Sequence, residues 1–395
     1  MIFQIIDDKK DCYGIYANGD ILHTDLKDEL DKTWAYSSHL GDKRVDLAQL
    51  YCGGKGLTAA CPPDLKDRFE ARKSKLKAFV NSFITAKVNL HDVCFYDLVP
   101  EQHIRHYYDL KNQISEHVFE NYSRPKNYTL LHDTTVMCHE ISEREVKLNR
   151  KLLKKFAKDD YKAFHLAQKF WSKKAFVNYN IFGTKTGRLG LQAGSFPILN
   201  LKKEHRSAVE PKWSYFVELD YNGSEIRTLM ALSGQRQPKE DIHKWNMDNI
   251  FEHGVGRDVA KKRIFSWLYN SRSNAIDSEY YDRQKVLGKY YKDGQVQTPF
   301  GRCIESDDFH ALNYLLQSAS SDNCLAQANK LHRFLRDKKS NVAFIIHDSV
   351  ILDYHYDERY LLPQIKEIFM DTKLGPFKTN MKVGTTLGNM QEIKW

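Results

Sequence analysis

Two apolar runs flank a His-Asp-Ser triplet in the last fifth of this chain of 395 residues. The stretch AFIIHDSVILDY, residues 343–354, is apolar on both sides of His347, Asp348 and Ser349. Short apolar runs rich in β-branched residues, separated by a polar step, predict two buried strands joined by a tight turn. A carboxylate is tolerated there if cations or hydrogen-bond donors complete its surroundings. The stretch therefore predicts a sheet with an ionic site at one strand end.

A second carboxylate lies at a predicted strand end. SYFVELDY, residues 214–221, is an apolar run that ends at Asp220, and Ser224 then opens a predicted helix. A lone aspartate in this position is often a helix cap or a turn residue. If the two strands are neighbours, however, Asp220 and Asp348 can hold two divalent cations about 3.5–4 Å apart, which is the geometry of phosphoryl transfer.

A predicted helix carries two cations and two aromatic rings at a spacing of four residues. Arg257, Lys261, Phe265 and Tyr269 lie on one face of it, since each step of four drifts by only about 40°. The cations suit phosphates and the rings suit a sugar and base, so the face fits a nucleoside triphosphate. The alternative is an amphipathic helix that buries its rings while its cations reach solvent. Nearby His243 offers another phosphate donor.

Composition narrows the class of protein. Lys and Arg number 60 against 51 Asp and Glu, a formal net charge of +9, which fits either a polyanionic partner or solvated lysine faces. The mean hydropathy is −0.60, and no apolar run approaches 18 residues, which argues against a membrane span. The N-terminus lacks a signal-peptide pattern, and the seven cysteines lack metal-binding spacing. We expect a cytoplasmic protein with reduced thiols.

Changes in periodicity predict an α+β fold in which helical segments are inserted between strands of one sheet. Residues 1–90 have the texture of a small mixed domain. Helices are predicted from about 101 to 122, from 141 to 171 with Ser142 as N-cap, from 241 to 291, and from 309 to 334.

Seven sequence blocks together resemble family A DNA polymerases, the DNA polymerase I class. DYNGSEIR, the R-x3-K-x3-F-x3-Y helix and IIHDSV resemble motifs A, B and C of that family in the same order. The other four blocks are TKTGRLGLQAGSFPILNL (184–201), DIH (241–243), TPFGR (298–302) and ALNYLLQSASSDNCL (311–325). The resemblance implies a right-hand polymerase fold, with an antiparallel palm sheet, helical fingers and a helical thumb. It implies a thumb at 91–175, palm at 176–240 and 296–395, and fingers at 241–295.

The resemblance also implies site residues. Asp220, Asp348 and the Tyr221 carbonyl would hold two Mg²⁺ ions. The nucleotide-binding residues would be Arg257, Lys261, His243, Phe265, Tyr269 and Glu225. Among these, Lys261 would protonate the leaving pyrophosphate and Glu225 would exclude a ribose 2′-hydroxyl. The DNA-binding residues would be Thr186, Arg188, Asn200, Arg302, Asn313, Gln317 and His347, with Arg227 supporting the palm.

The implied reaction is extension of a primer 3′-hydroxyl on template DNA with dNTPs. The implied enzyme is a monomer that acts away from membranes, with any exonuclease or processivity factor on a separate chain. Asp7 and Asp8 are adjacent and lack the D-x-E pattern of a proofreading exonuclease, so we expect a short, phage-type enzyme without proofreading.

Three residues depart from the family pattern, namely Ser349, Asp258 and Ser266. Ser349 leans toward single-subunit RNA polymerases, whereas Glu225, Phe265 and the chain length argue against them. Two alternatives stay open: an RNA polymerase of that kind, and a catalytically silent protein that binds primer-template DNA.

Overall fold

Two units make up the chain, residues 1–139 and residues 140–395. The computed structural model describes residues 2–8, 11–23, 30–90, 92–251, 254–270, 273–276 and 278–393, with backbone alone at 8, 11 and 12. Within these residues no helix has the length and apolar character needed to cross a membrane. The cysteines whose side chains are described are free thiols.

The first unit contains a three-stranded antiparallel sheet and a set of helices. Its strands are β1 (Phe3–Asp8), β2 (Asp11–Ala17), β3 (Asp20–Leu22), β4 (Lys32–Thr33) and β5 (Asp46–Leu47). Its helices are α1 (Ala48–Tyr51), α2 (Leu57–Ala60), α3 (Pro63–Thr85), α4 (Glu101–Asn121) and α5 (Tyr128–Glu143), the last of which crosses the division. Helix α4 packs on β1, β2 and α3, and its Ile104 and Tyr108 are buried with Ile6 and Tyr16.

One expectation for this part of the chain is confirmed, and another is not tested. The helix predicted from about 101 to 122 is confirmed by α4. Asp7 and Asp8 both lie on β1, just after a register shift between Ile6 and Asp7. The side chain of Asp8 lies outside the described residues, so the absence of an exonuclease site stays a prediction.

The single helix predicted from 141 to 171 is wrong. Helix α5 ends at Glu143, and it is followed by β6 (Lys147–Leu148), α6 (Arg150–Phe156) and α7 (Tyr161–Phe170). Each new helix begins at a side chain that caps it: Asn149 accepts from the Leu152 N–H at 3.0 Å, and Asp160 accepts from the N–H groups of Lys162 and Ala163. These local bonds compete with helix continuation. Ser142 lies in the last turn of α5 and is not an N-cap.

A five-stranded antiparallel sheet is the centre of the second unit. Its order is β14-β15-β10-β18-β19, formed by β10 (Tyr215–Tyr221), β14 (Asn341–Ile346), β15 (Ser349–Tyr354), β18 (Thr379–Gly384) and β19 (Met390–Glu392). This confirms the strand ending near Asp220 and the 343–354 hairpin. The shorter strands are β7 (Tyr179–Asn180), β8 (Gly190–Leu191), β9 (Val209–Glu210), β11 (Tyr291–Lys292), β12 (Gln295–Gln297), β13 (Cys303–Glu305), β16 (Asp371–Thr372) and β17 (Gly375–Pro376).

Helices cover this sheet and form a second helical layer. They are α8 (Ser224–Leu232), α9 (Ile242–Asn249), α10 (Arg257–Tyr269), α11 (Arg283–Tyr290), α12 (Ala311–Phe334) and α13 (Leu362–Met370). The helix predicted from 241 to 291 is therefore wrong as one element, because α9, α10 and α11 replace it. The long helix α12 packs against α8, α13, β14 and β15, and most of its side chains are buried. Apolar side chains of α8, α10, α11 and α12 form one core.

Candidate functional site

Strand pairing brings the two predicted strand-end carboxylates to one edge of the sheet. Asp220 on β10 lies opposite Ser349, the first residue of β15, and opposite Asn380 on β18. Asp348 precedes Ser349 in the two-residue turn between β14 and β15. The other turn residue, His347, has φ of +56°, a conformation that costs energy for a residue with a Cβ. The hairpin register thus places Asp348 beside the end of the Asp220 strand.

The surroundings of the two carboxylates favour a cation. Burial, and next the negative charges of Glu218 and Asp348, raise the pKa of Asp220 to about 6, against the opposing charges of Lys382 and Lys261. The Oδ1 atom of Asp348 is buried without a hydrogen-bond partner among the described residues. Two neighbouring carboxylates, one of them with an oxygen atom that lacks a hydrogen-bond partner, are the donor type that hard divalent cations such as Mg²⁺ take, so these residues fit such an ion.

A cleft of about 400 Å³ joins these carboxylates to the face of α10. The α10 residues that line it are Arg257, Lys261, Phe265 and Tyr269, the four spaced by four positions. The rings of Phe265 and Tyr269 stack with centroids 5.9 Å apart and planes 19° from parallel. Tyr221, Glu225 and His243 complete the set of nine predicted residues in the cleft.

His243 is a buried, neutral donor at neutral pH. Burial lowers its pKa to about 4, and the positive charges of Lys261, Arg257 and Arg227 act in the same direction, against the opposite effect of Asp241. Its Nδ1 has no hydrogen-bond partner among the described residues, and its ring centroid lies 6.0 Å from that of Phe265. The imidazole lines the cleft, and its Nδ1 is a buried polar atom without a partner in the described part of the chain.

Arg257 forms an ion pair with Asp241, which the sequence analysis did not predict. Its guanidinium donates to both carboxylate oxygens of Asp241, at 3.1 and 2.8 Å. Asp241 also caps α9 by accepting from the His243 and Lys244 N–H groups, and it accepts from Asn222 Nδ2 at 2.7 Å. Burial by itself would raise the pKa of Asp241, but the hydrogen bonds from Arg257 and these donors hold it below its ordinary value.

Glu225 accepts hydrogen bonds from both sides of the cleft. Arg188 Nη2 lies 2.8 Å from Glu225 Oε1 and 3.5 Å from Asp348 Oδ2. The Tyr269 hydroxyl donates to Glu225 Oε2, and partial burial together with this bond raises the pKa of the tyrosine. One chain of contacts therefore runs from α10 through Glu225 and Arg188 to the hairpin turn.

Arg227, two residues after Glu225 on α8, is fully buried. Its guanidinium donates to the carbonyl oxygens of Asn222, Pro238 and Glu240 at 2.8, 2.9 and 2.8 Å. A buried cation with several well-placed acceptors fixes the backbone that it binds. Arg227 thereby joins the end of β10 to the loop that leads into α9.

The predicted DNA-binding residues lie outside the lining of the cleft, and three of them are held by specific contacts. Thr186 Oγ1 donates to Gln317 Oε1 at 2.9 Å. Arg302 Nη2 donates to the fully buried Asp322 at 2.7 Å, and the guanidinium packs against Gly187, whose φ is +79°. This close packing requires glycine at 187, since a Cβ would collide with the guanidinium.

Of the other predicted DNA-binding residues, Arg188 contacts Glu225 and Asp348, as described above. The remaining three have no contact with the cleft among the described residues. Asn313 has a buried Oδ1 without a partner in that part of the chain. Asn200 ends a short 3-10 helix and is exposed, and His347 is exposed at the hairpin turn.

Another group of possible metal ligands lies away from this cleft. Asp160, Glu204 and His205 form the one cluster of three such side chains found in the described residues. Lys202 Nζ already forms an ion pair with Asp160, which weakens the case for a metal there.

Asn222 and Asn380 line the main cleft and were not predicted. Asn380 had no local signal, because only the pairing of β18 with β10 brings it to Asp220.

The sheet order and the layered helices define an α+β fold. A solved structure with this fold is that of the POL domain of Pol1 from M. smegmatis in complex with DNA primer-template and dNTP. The TM-score is 0.58 at 13% sequence identity, over 73% of this chain and 76% of that one. At this identity the similarity shows a shared fold. No protein-family model matches the chain, and no curated protein sequence matches it.

Proposed function

We propose that the protein is a template-directed DNA polymerase of family A that extends a primer 3′-hydroxyl with dNTPs and releases pyrophosphate. The observation that carries this proposal is the cleft in which Asp220 and Asp348 meet the Arg257-Lys261-Phe265-Tyr269 face of α10. The shared fold with a POL domain solved with primer-template and dNTP supports the same substrates. In this proposal residues 91–175 are the thumb, 176–240 and 296–395 the palm, and 241–295 the fingers.

Each residue of the cleft has a role that follows from its chemistry. Asp220, Asp348 and the Tyr221 carbonyl would hold two Mg²⁺ ions, which when bound supply charge for activating the primer hydroxyl and neutralising the phosphates. Arg257 and Lys261 bind the triphosphate, and Lys261 gives a proton to the leaving pyrophosphate.

The residues around the sugar and base select the nucleotide. His243, neutral at pH 7, contributes a polar atom without adding charge, and the stacked rings of Phe265 and Tyr269 contact the nucleotide. The Glu225 side chain, held by Arg188 and Tyr269, fills the space of a 2′-hydroxyl. A steric barrier needs a side chain of fixed position, and two hydrogen-bond partners provide this.

The contacts of Ser349 weaken the RNA polymerase alternative. Its hydroxyl donates to the Ile346 carbonyl at 2.9 Å, across the base of the hairpin, and the residue is buried. This position closes the turn, so serine has a structural reason to be there whichever nucleotide is used. Absence of proofreading and a phage-type origin stay proposals from the sequence.

Primer extension with two charge-removing variants tests the proposal. We expect the wild-type protein to extend a primed template with Mg²⁺ and dNTPs. Asp220→Asn and Asp348→Asn should lower the rate at least about a thousandfold, since each removes a ligand charge from the reacting centre, while primed-template binding stays within about threefold. Asp337→Asn is the matched control, because this carboxylate is exposed beyond the end of α12 and should leave the rate unchanged.

Four outcomes would contradict parts of the proposal. Near-wild-type extension by either cleft variant would refute the metal assignment. Efficient use of rNTPs without a primer would favour an RNA polymerase. DNA binding without any extension by the wild-type protein would favour a silent DNA-binding protein, and excision of a mismatched 3′ end would show proofreading.

A further inference from the structure

Helix α7 carries aromatic side chains on its solvent-exposed face. Its buried face consists of Ala163, Leu166, Ala167 and Phe170, as an amphipathic helix requires. Outside this buried face, Tyr161, Phe164 and, just past the end of the helix, Trp171 are 77%, 49% and 45% exposed. Single exposed rings are common, but three within the eleven residues 161–171 indicate a binding surface.

Two of the exposed rings, Tyr161 and Phe164, are connected through a histidine, and the third, Trp171, has a lysine over it. His165 contacts both Tyr161 and Phe164, with ring centroids 4.2 and 5.7 Å apart and edge-to-face geometry. Lys154 Nζ lies over the Trp171 ring, 5.1 Å from its centroid. We call the exposed side chains of α6 and α7, with Trp171, the α6–α7 surface.

Positive charge is concentrated in the same segment. Residues 150–174 contain nine Lys and Arg against two Asp, a net charge of +7, whereas the whole chain has +9. One of the two acidic residues, Asp160, is neutralised by Lys202. The surface is therefore strongly cationic around its rings, and its occupant must be an anion with apolar faces.

We propose that the α6–α7 surface binds single-stranded DNA. Lysines that bind phosphates would suit duplex and single-stranded DNA equally well. Exposed rings, in contrast, can stack only on bases that are unpaired, which favours single-stranded DNA. This inference is separate from the proposed polymerase activity, since it needs neither metal nor nucleotide and involves none of the residues of the cleft.

Fluorescence anisotropy with the full chain tests the proposal. The probe is a labelled 20-mer of dT in EDTA, added to protein already saturated with an unlabelled blunt-ended hairpin duplex, so that duplex-binding sites are occupied. The double variant Tyr161→Ala/Phe164→Ala should lower affinity for the 20-mer at least about tenfold. Its affinity for the hairpin should change less than about twofold. The matched control Trp213→Ala/Tyr360→Ala, which removes exposed rings elsewhere in the chain, should bind both probes as the wild type does.

Salt dependence separates the roles of rings and lysines. Lys162→Ala/Lys169→Ala should reduce the slope of log affinity against log salt by about 0.7 for each phosphate that the variant no longer neutralises, whereas the ring variant should leave the slope unchanged. The proposal is overturned if the ring variant binds the 20-mer within twofold of wild type or loses duplex affinity equally. It is also overturned if the surface binds anionic lipid vesicles and not the 20-mer. A failure of primer extension would leave this test unaffected.

Discussion

Removing the Asp220 charge should stabilise the metal-free protein, although it removes a residue that we assign to catalysis. The pKa of this carboxyl is raised from 3.8 to about 6, with burial as the main cause. A raised pKa means that the ionised form is disfavoured in the folded state. The resulting destabilisation is complete above pH 6 and is lost as the pH falls toward 3.8. A pKa rise of this size lowers the free energy of unfolding by about 3 kcal/mol at pH 7.5 and by less than about 1 kcal/mol at pH 4.

Urea unfolding in EDTA measures this effect. We expect the free energy of unfolding of Asp220→Asn to exceed that of the wild type by about 3 kcal/mol at pH 7.5, with the difference shrinking at pH 4. The control Asp337→Asn, at an exposed side chain, should stay within about 0.5 kcal/mol of wild type.

Adding Mg²⁺ at 100 times its dissociation constant should stabilise the wild type by about 2.7 kcal/mol and the Asp220→Asn variant by much less. A metal-free Asp220→Asn protein that is no more stable than wild type at pH 7.5 would refute the reasoning, because the buried charge would then have another partner.

Three further substitutions test other parts of the site. Glu225→Ala should raise the ratio of rNTP to dNTP incorporation at least about tenfold in single-nucleotide extension, and an unchanged ratio would place sugar selection elsewhere. Arg227→Met leaves three backbone carbonyls without their donor and should lower the free energy of unfolding in urea by about 3 kcal/mol or more; a loss below about 1 kcal/mol would contradict its structural role. Gly187→Ala combines a left-handed φ with a collision against Arg302, so thermal unfolding should show a loss of about 2–4 kcal/mol, and a neutral result would mean that Arg302 can move away.

Local patterns predicted the elements that carry the cleft. The apolar runs on both sides of Asp348 in residues 343–354, the apolar run ending at Asp220, and the four-residue spacing on α10 are all properties of short windows, and each is present in the structure. Buried strands and one-sided helices are determined mainly by the side chains that must leave water, so their periodicity is visible in the sequence.

Predictions failed where a single side chain ended an element. Asn149 and Asp160 break the helix predicted from 141 to 171, and both residue types also occur in helix interiors, so their capping role depends on the backbone conformation before them. Helix α3 was not predicted either, although Pro63 at its first position and Asp64 in its first turn are typical start signals.

Contacts between residues distant in sequence were also not predicted. The pairing of Arg257 with Asp241 and the position of Asn380 beside Asp220 depend on how α9, α10 and β18 pack, which no short window specifies. In the sequence analysis Asp241 was only part of the DIH block (241–243), in which His243 was the residue given a role. The structure shows that the aspartate holds both α9 and Arg257.

The order of strands in the central sheet has a consequence for protein synthesis. Strand β10 lies between β15 and β18, and both of these are translated after it, with Asn380 following Asp220 by 160 residues. At about 5–20 residues per second the ribosome needs roughly 8–32 s to make that length. Until β15 and β18 have been made, β10 has no neighbour in the sheet, and the backbone N–H and C=O groups along its edges are open to pairing with other chains. The strand that carries Asp220 is therefore the part of this unit that most needs protection by chaperones while the chain is being made.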